Sequence, residues 1–112
     1  MNNVARMEIP NRMRSVNVRM SIDDMPIVAT MDYLINDSGI LPVAVWVKTK
    51  KSESTLDREL RSSGKAVSLL LQYGCSLKEI SETFTRDSII GSVVWYLFKN
   101  TEDILQGKQP DK

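Results

Sequence analysis

The chain has 112 residues, 42% of them apolar and 26% charged, with a formal net charge of +1. That is one domain's length with enough apolar residues for a core, and the balance argues for neither a strongly basic nucleic-acid binder nor an acidic tail, while leaving room for a local basic patch. A single cysteine, Cys75, and the absence of histidine exclude a Ser-His-Asp or Cys-His site within the chain, a zinc cluster of several Cys or His ligands, and a disulfide framework.

In chain order, residues 1–14 are polar and basic, carrying Arg6, Arg12 and Arg14, with Pro10 breaking any helix. They predict a flexible arm; the sharper alternative is an arm that grips a partner or a phosphate through Arg12 and Arg14. The stretch MNNVARMEIPNRMRS lacks the apolar core of a signal peptide, and no segment approaches the roughly 20 apolar residues of a membrane span. With the lone cysteine, these features predict a cytoplasmic protein without membrane contact.

Three strands follow. In SVNVRM, Val16, Val18 and Met20 alternate with Asn17 and Arg19, the period-two pattern of a strand with one buried face. SIDD (Ser21 to Asp24) supplies a turn. In PIVATMDYL the odd-numbered set, Ile27, Ala29, Met31 and Tyr33, reads as the core face. NDSG (Asn36 to Gly39) is a second turn. In LPVAVWVK, Leu41, Val43, Val45 and Val47 share one face, with Ala44, Trp46 and Lys48 on the other. A meander with one apolar face needs a cover, and the remaining chain has helical spacing.

After the polar crossing KTKKSES, Ser54 is placed to cap a helix with Asp57 three residues on. Leu56, Leu60, Val67, Leu70 and Leu71 mark its buried stripe. Ser63 and Gly64 interrupt it; a mid-helix glycine costs about 1 kcal/mol against alanine, so close approach by another backbone is its expected reward. Gly74 ends the helix as a left-handed cap. Ser76 and Glu79 form a capping box on a second helix with Leu77, Ile80 and Phe84 inward. Asp87 or Ser88 caps a third, where Ile89, Ile90, Val93, Val94, Leu97 and Phe98 make a wide apolar face broadened by Trp95 and Tyr96.

Chemistry-bearing residues are few. Cys75 stands before a helix N-terminus, where a reactive thiolate is the sharper reading, but nothing pairs with it; a buried or half-buried structural cysteine is the plainer one. Asp57, Glu59, Glu79 and Glu82 show no spacing that demands metal or acid-base work. Core or dimer-interface packing is the plainer reading of Trp46, Trp95 and Tyr96; the sharper one is an exposed aromatic patch, with Trp46 on a sheet face beside Arg- and Lys-bearing strands placed to stack a base. Arg58, Arg61 and Lys65 at helical spacing form a basic stripe, either solvated or turned to a phosphate or an acidic partner.

The order of these parts resembles a segment near the C-terminal end of the large subunit of ribonucleotide reductases, chiefly the cobalamin-dependent type, known as a TSCPD-type domain. The likeness rests on IPNRMRS (Ile9 to Ser15), on Ser54, Thr55 and Leu56, and on Val67, Ser68, Leu69, Leu71, Gln72, Tyr73 and Gly74, continued by Leu77 and Glu79. It covers most of the chain, about residues 7–98. Small free-standing proteins of this type are similar. The family's helix motif opens on glycine where this chain has Glu53, and its naming cysteine signature is absent. The resemblance implies a fold and an ancestry; the family's catalytic cysteines, cobalamin site and barrel lie in other parts of the reductase, so it carries over no catalytic residue.

Together these readings predict an α+β fold, a three-stranded antiparallel β-meander followed by two or three helices packed on one face. Residues 15–106 form a single domain between the arm and a disordered tail, 107–112. The exposed apolar remainder, particularly Trp95, Tyr96 and Phe98, with an open edge strand, predicts a homodimer or a permanent partner. The predicted function is that of a non-catalytic accessory or regulatory protein, without cofactor or metal, acting on a larger protein. The alternatives are a small nucleic-acid-binding regulator and a subunit of a split reductase. Candidate partner-binding residues are Arg12, Arg14, Arg58, Arg61, Lys65, Trp46, Trp95 and Tyr96.

Overall fold

The computed structural model describes residues 5–10, 13–37, 39–50, 54–85 and 87–106; Arg12 and the 107–112 tail lie outside the described residues. Strands β1 (Arg14–Ile22), β2 (Met25–Asn36) and β3 (Gly39–Thr49) form an antiparallel sheet in the order β1-β2-β3. Helices α1 (Thr55–Gln72), α2 (Leu77–Thr83), α3 (Ile89–Lys99) and the short α4 (Thr101–Leu105) follow. The fold is therefore α+β, with the predicted meander. No helix among the described residues is long and apolar enough to cross a membrane.

The alternation read from the sequence sets which face is buried. Val18 and Met20 of β1, Ile27, Ala29 and Met31 of β2, and Val45 and Val47 of β3 pack against Leu60, Val67 and Leu71 of α1. Leu77 and Ile80 of α2 and Ile90, Val93, Val94 and Leu97 of α3 complete the core. The opposite face of the sheet stays open to solvent.

The β1–β2 hairpin turns on two residues, Asp23 and Asp24, at φ 51° and 63°. Both lie in the left-handed region, which matches the twist of a tight hairpin but crowds any residue with a Cβ. Asp24→Gly relieves that crowding at some cost in unfolded-state entropy, and is expected to stabilise the fold by about 0.5–1 kcal/mol, a rise of a few degrees in Tm. An unchanged or lower Tm would contradict the strain.

Pairing between β2 and β3 shifts by one residue between Asp32 and Tyr33. Asp32 pairs with Ala44 and Tyr33 with Pro42, so Val43 is an extra residue on β3. The bulge breaks the strict alternation expected there: Leu41 pairs with Leu34, away from the parity of Val45 and Val47, and Val43, Ala44 and Val45 are all buried. It also sets the register in which Trp46 pairs with Thr30 and faces solvent.

Helix α1 runs along the outer edge of β3. The Ser68 hydroxyl accepts from Val45 N–H at 2.9 Å and lies 3.1 Å from Val45 O. Gln72 Nε2 donates to Val43 O at 3.0 Å, and Thr49 N–H donates to Asp57 Oδ1 at 3.0 Å. Between them Gly64 lies so close that a Cβ there would sit 3.0 Å from Val45 O. Asp57, Gly64, Ser68 and Gln72 fall within about 80° of one another around a helix of 3.6 residues per turn, and their span of about 22 Å matches the roughly 20 Å from Val43 to Thr49. The edge strand expected to be open is thus closed at β3 by the chain's own helix, a standard way to block edge-to-edge pairing. Leu70, placed in the buried stripe from the sequence, is 38% exposed, because this polar line turns it outward.

The caps follow the sequence. Ser54 Oγ accepts from Asp57 N–H at 3.1 Å, and Ser76 and Glu79 exchange both capping-box bonds. Ser88 Oγ accepts from Gly91 N–H at 3.1 Å. Gly74, at φ 103°, closes α1: its N–H reaches Leu71 O and that of Cys75 reaches Leu70 O. Arg6 Nε donates to Gln72 Oε1 at 2.6 Å and Met7 N–H to Gln72 O at 2.8 Å, so this part of the predicted arm is tied to the end of α1.

Candidate functional site

The open face of the sheet is built by two cross-strand rows. Asn17, Thr30 and Trp46 lie side by side, and Arg19, Val28 and Lys48 form the next row towards the β1–β2 turn. Rows on one face are about 6–7 Å apart and strands about 4.8 Å apart, so these six side chains share one compact patch.

Trp46 is 43% exposed and Val28 36%. The indole is anchored: Nε1 donates to Asp32 Oδ2 at 3.0 Å, and Ser15 Oγ donates to the other oxygen of the same carboxylate. Thr30 Oγ1 donates to Asn17 Oδ1 at 2.6 Å, which leaves the Asn17 amide N–H groups facing solvent. The side chains of Arg19, Lys48 and Lys50 make no hydrogen bond or ion pair among the described residues.

A cleft of about 860 Å³ opens at this end of the sheet, lined by Arg19, Ser21, Pro26, Val28, Lys48, Lys50 and Tyr96 among others, with no carboxylate among the described residues of its lining. Burial pushes the Tyr96 phenol above its usual pKa, so it stays neutral and adds no negative charge. Among the described residues no group of three or more His, Cys, Asp or Glu is placed to hold a metal ion.

The residues singled out from the sequence do not converge. Trp46 stands on the open face. Arg14 is exposed at the start of β1 beside Tyr33, and Arg12 lies outside the described residues. Arg58 and Lys65 are exposed on α1, but Arg61 is committed within its helix, forking onto Asp57 at 2.7 and 3.2 Å. Trp95 and Tyr96, with Phe98, were expected to be exposed; all three are half-buried. Trp95 lies against Phe98 with ring centroids 5.9 Å apart and Lys99 Nζ 5.1 Å from its ring centre. Their face is wide because α3 fills the core of the same chain. A further exposed apolar set, Leu69, Leu70 and Tyr73, lies on the outer side of α1. Cys75 is half-buried at the α1–α2 joint.

Sequence reasoning left out Arg19, Lys48, Lys50 and Asn17. The signal for them was present, since each is an outward residue of an alternating strand or its extension, but which of them lie side by side depended on the bulge. Comparison of the chain with protein-family models, with curated proteins and with solved structures finds no match.

Proposed function

We propose that this protein is a non-catalytic accessory module that works by docking a partner on the open face of its sheet. The observation that carries the reading is Trp46. A large aromatic ring is held at the surface by its own hydrogen bond to Asp32, next to Val28 and rimmed by cations that have no partner among the described residues. Removing such a ring from water is favourable, and its pre-set orientation lowers the ordering cost of binding. The resemblance to a reductase segment agrees with an accessory role, and a reducing cytoplasmic setting agrees with the unpaired Cys75.

The test immobilises the full chain and a Trp46→Ser variant of matched thermal stability, exposes both to native extract, and identifies retained protein and nucleic acid alike. A partner held by the parent chain and lost on the variant is expected. Retention that ignores the substitution would overturn the reading.

A further inference from the structure

We propose that the occupant of this face is single-stranded nucleic acid, with a base stacked on Trp46 and phosphates held by Arg19, Lys48 and Lys50. This rests on the reading of the face as the docking surface, and three observations take it to this partner. The first is charge complementarity. Three cations without partners among the described residues converge on a cleft with no carboxylate among the described residues that line it, although the whole chain is nearly neutral. The one acid of the adjoining rows, Asp32, is engaged by the indole N–H and the Ser15 hydroxyl.

The second is composition. Lysine is depleted in the cores of protein–protein interfaces, whereas lysine and arginine beside an exposed aromatic are what a phosphate backbone with unstacked bases recognises. The third is the Asn17 amide, whose oxygen is taken by Thr30 and whose N–H groups are left to meet a base edge. In a duplex the base faces are stacked on one another and out of reach of Trp46, so the face selects single strands, with little sequence preference.

The experiment uses the full chain and a fluorescein-labelled single-stranded oligonucleotide of about 12 nucleotides, within the usual site sizes, with a matched duplex and polyglutamate as competitors. Anisotropy is expected to show binding to the single strand, poor competition by duplex and polyglutamate, and a slope of log K against log salt of about −2 for three phosphates. Trp46→Ala should weaken binding by about ten- to a hundredfold without changing that slope. The double variant Lys48→Gln, Lys50→Gln should flatten the slope by about 1.4. Trp46→Phe should keep most of the affinity while abolishing the quenching of intrinsic fluorescence, which Trp95→Phe should leave in place. Each variant is first matched to the parent by thermal melting.

Absence of binding at low salt, equal competition by polyglutamate, or an unchanged affinity in Trp46→Ala would overturn the proposal. If capture from extract depends on Trp46 but yields a protein that binds without nucleic acid, the docking reading stands and this proposal falls. If capture does not depend on Trp46, both fall.

Discussion

Gly64→Val is expected to cost about 3 kcal/mol of folding stability, and Gly64→Ala about 1 kcal/mol, because both force α1 away from the edge of β3. A solvent-facing helix glycine would respond in the opposite sense, since alanine there gains about 1 kcal/mol of helix propensity. Here a Cβ would sit 3.0 Å from Val45 O, with Trp46 Cα and Val47 N each at 3.8 Å. All three are backbone atoms of a paired strand and have no rotamer through which to retreat. Moving the helix outward also lengthens the Ser68 bond to Val45 N–H and the Gln72 bond to Val43 O, so the damage spreads along the edge. Urea unfolding of the two variants measures the effect. A rise in midpoint for Gly64→Ala would show that the helix does not lie where the structure places it.

Asp57→Ala is expected to cost about 2–4 kcal/mol, from the loss of several hydrogen bonds to one charged, buried acceptor. Arg61→Ala is expected to cost under about 1 kcal/mol. The two residues form one ion pair, but they are unequally placed. Asp57 is 3% exposed and also receives the N–H and hydroxyl of Thr49, at 3.0 and 3.2 Å, whereas Arg61 is 47% exposed. Removing the arginine returns Asp57 to its Thr49 partners. Removing the aspartate takes the acceptor from the Thr49 N–H and hydroxyl at the end of β3 and a negative charge from the first turn of α1, whereas Arg61 is already 47% exposed to water. Equal losses for the two variants in chemical denaturation would mean that the surface ion pair, and not the strand-edge bond, is what Asp57 supplies.

The candidate site shows where sequence reasoning reached and where it stopped. That Trp46 points away from the core follows from alternation, as does the outward direction of Arg19 and Lys48. That Arg19, Val28 and Lys48 make one row does not, because pairing in β2–β3 depends on the extra residue Val43. Carried back from the Asn36–Gly39 turn without the bulge, the register would set Trp46 against Ala29 on the core face. Trp95, Tyr96 and Phe98 are half-buried and not exposed for a related reason. Apolar width on α3 signals burial, but the sequence does not say whether the burying surface belongs to the same chain.

Local features were settled by the order of residues alone: the alternating strands, the Ser54 and Ser76 caps, the left-handed Gly74 and the α+β class. Each depends on side-chain periodicity or on hydrogen bonds spanning three or four residues, and so is encoded within a single stretch. The placement of α1 at the edge of β3 was decided only by the assembled structure. Asp57, Gly64, Ser68 and Gln72 look like polar and small interruptions of a helix until the strand whose N–H and C=O groups they meet is beside them. A side-chain-to-backbone hydrogen bond between residues 8 to 29 positions apart leaves no periodic trace in either segment.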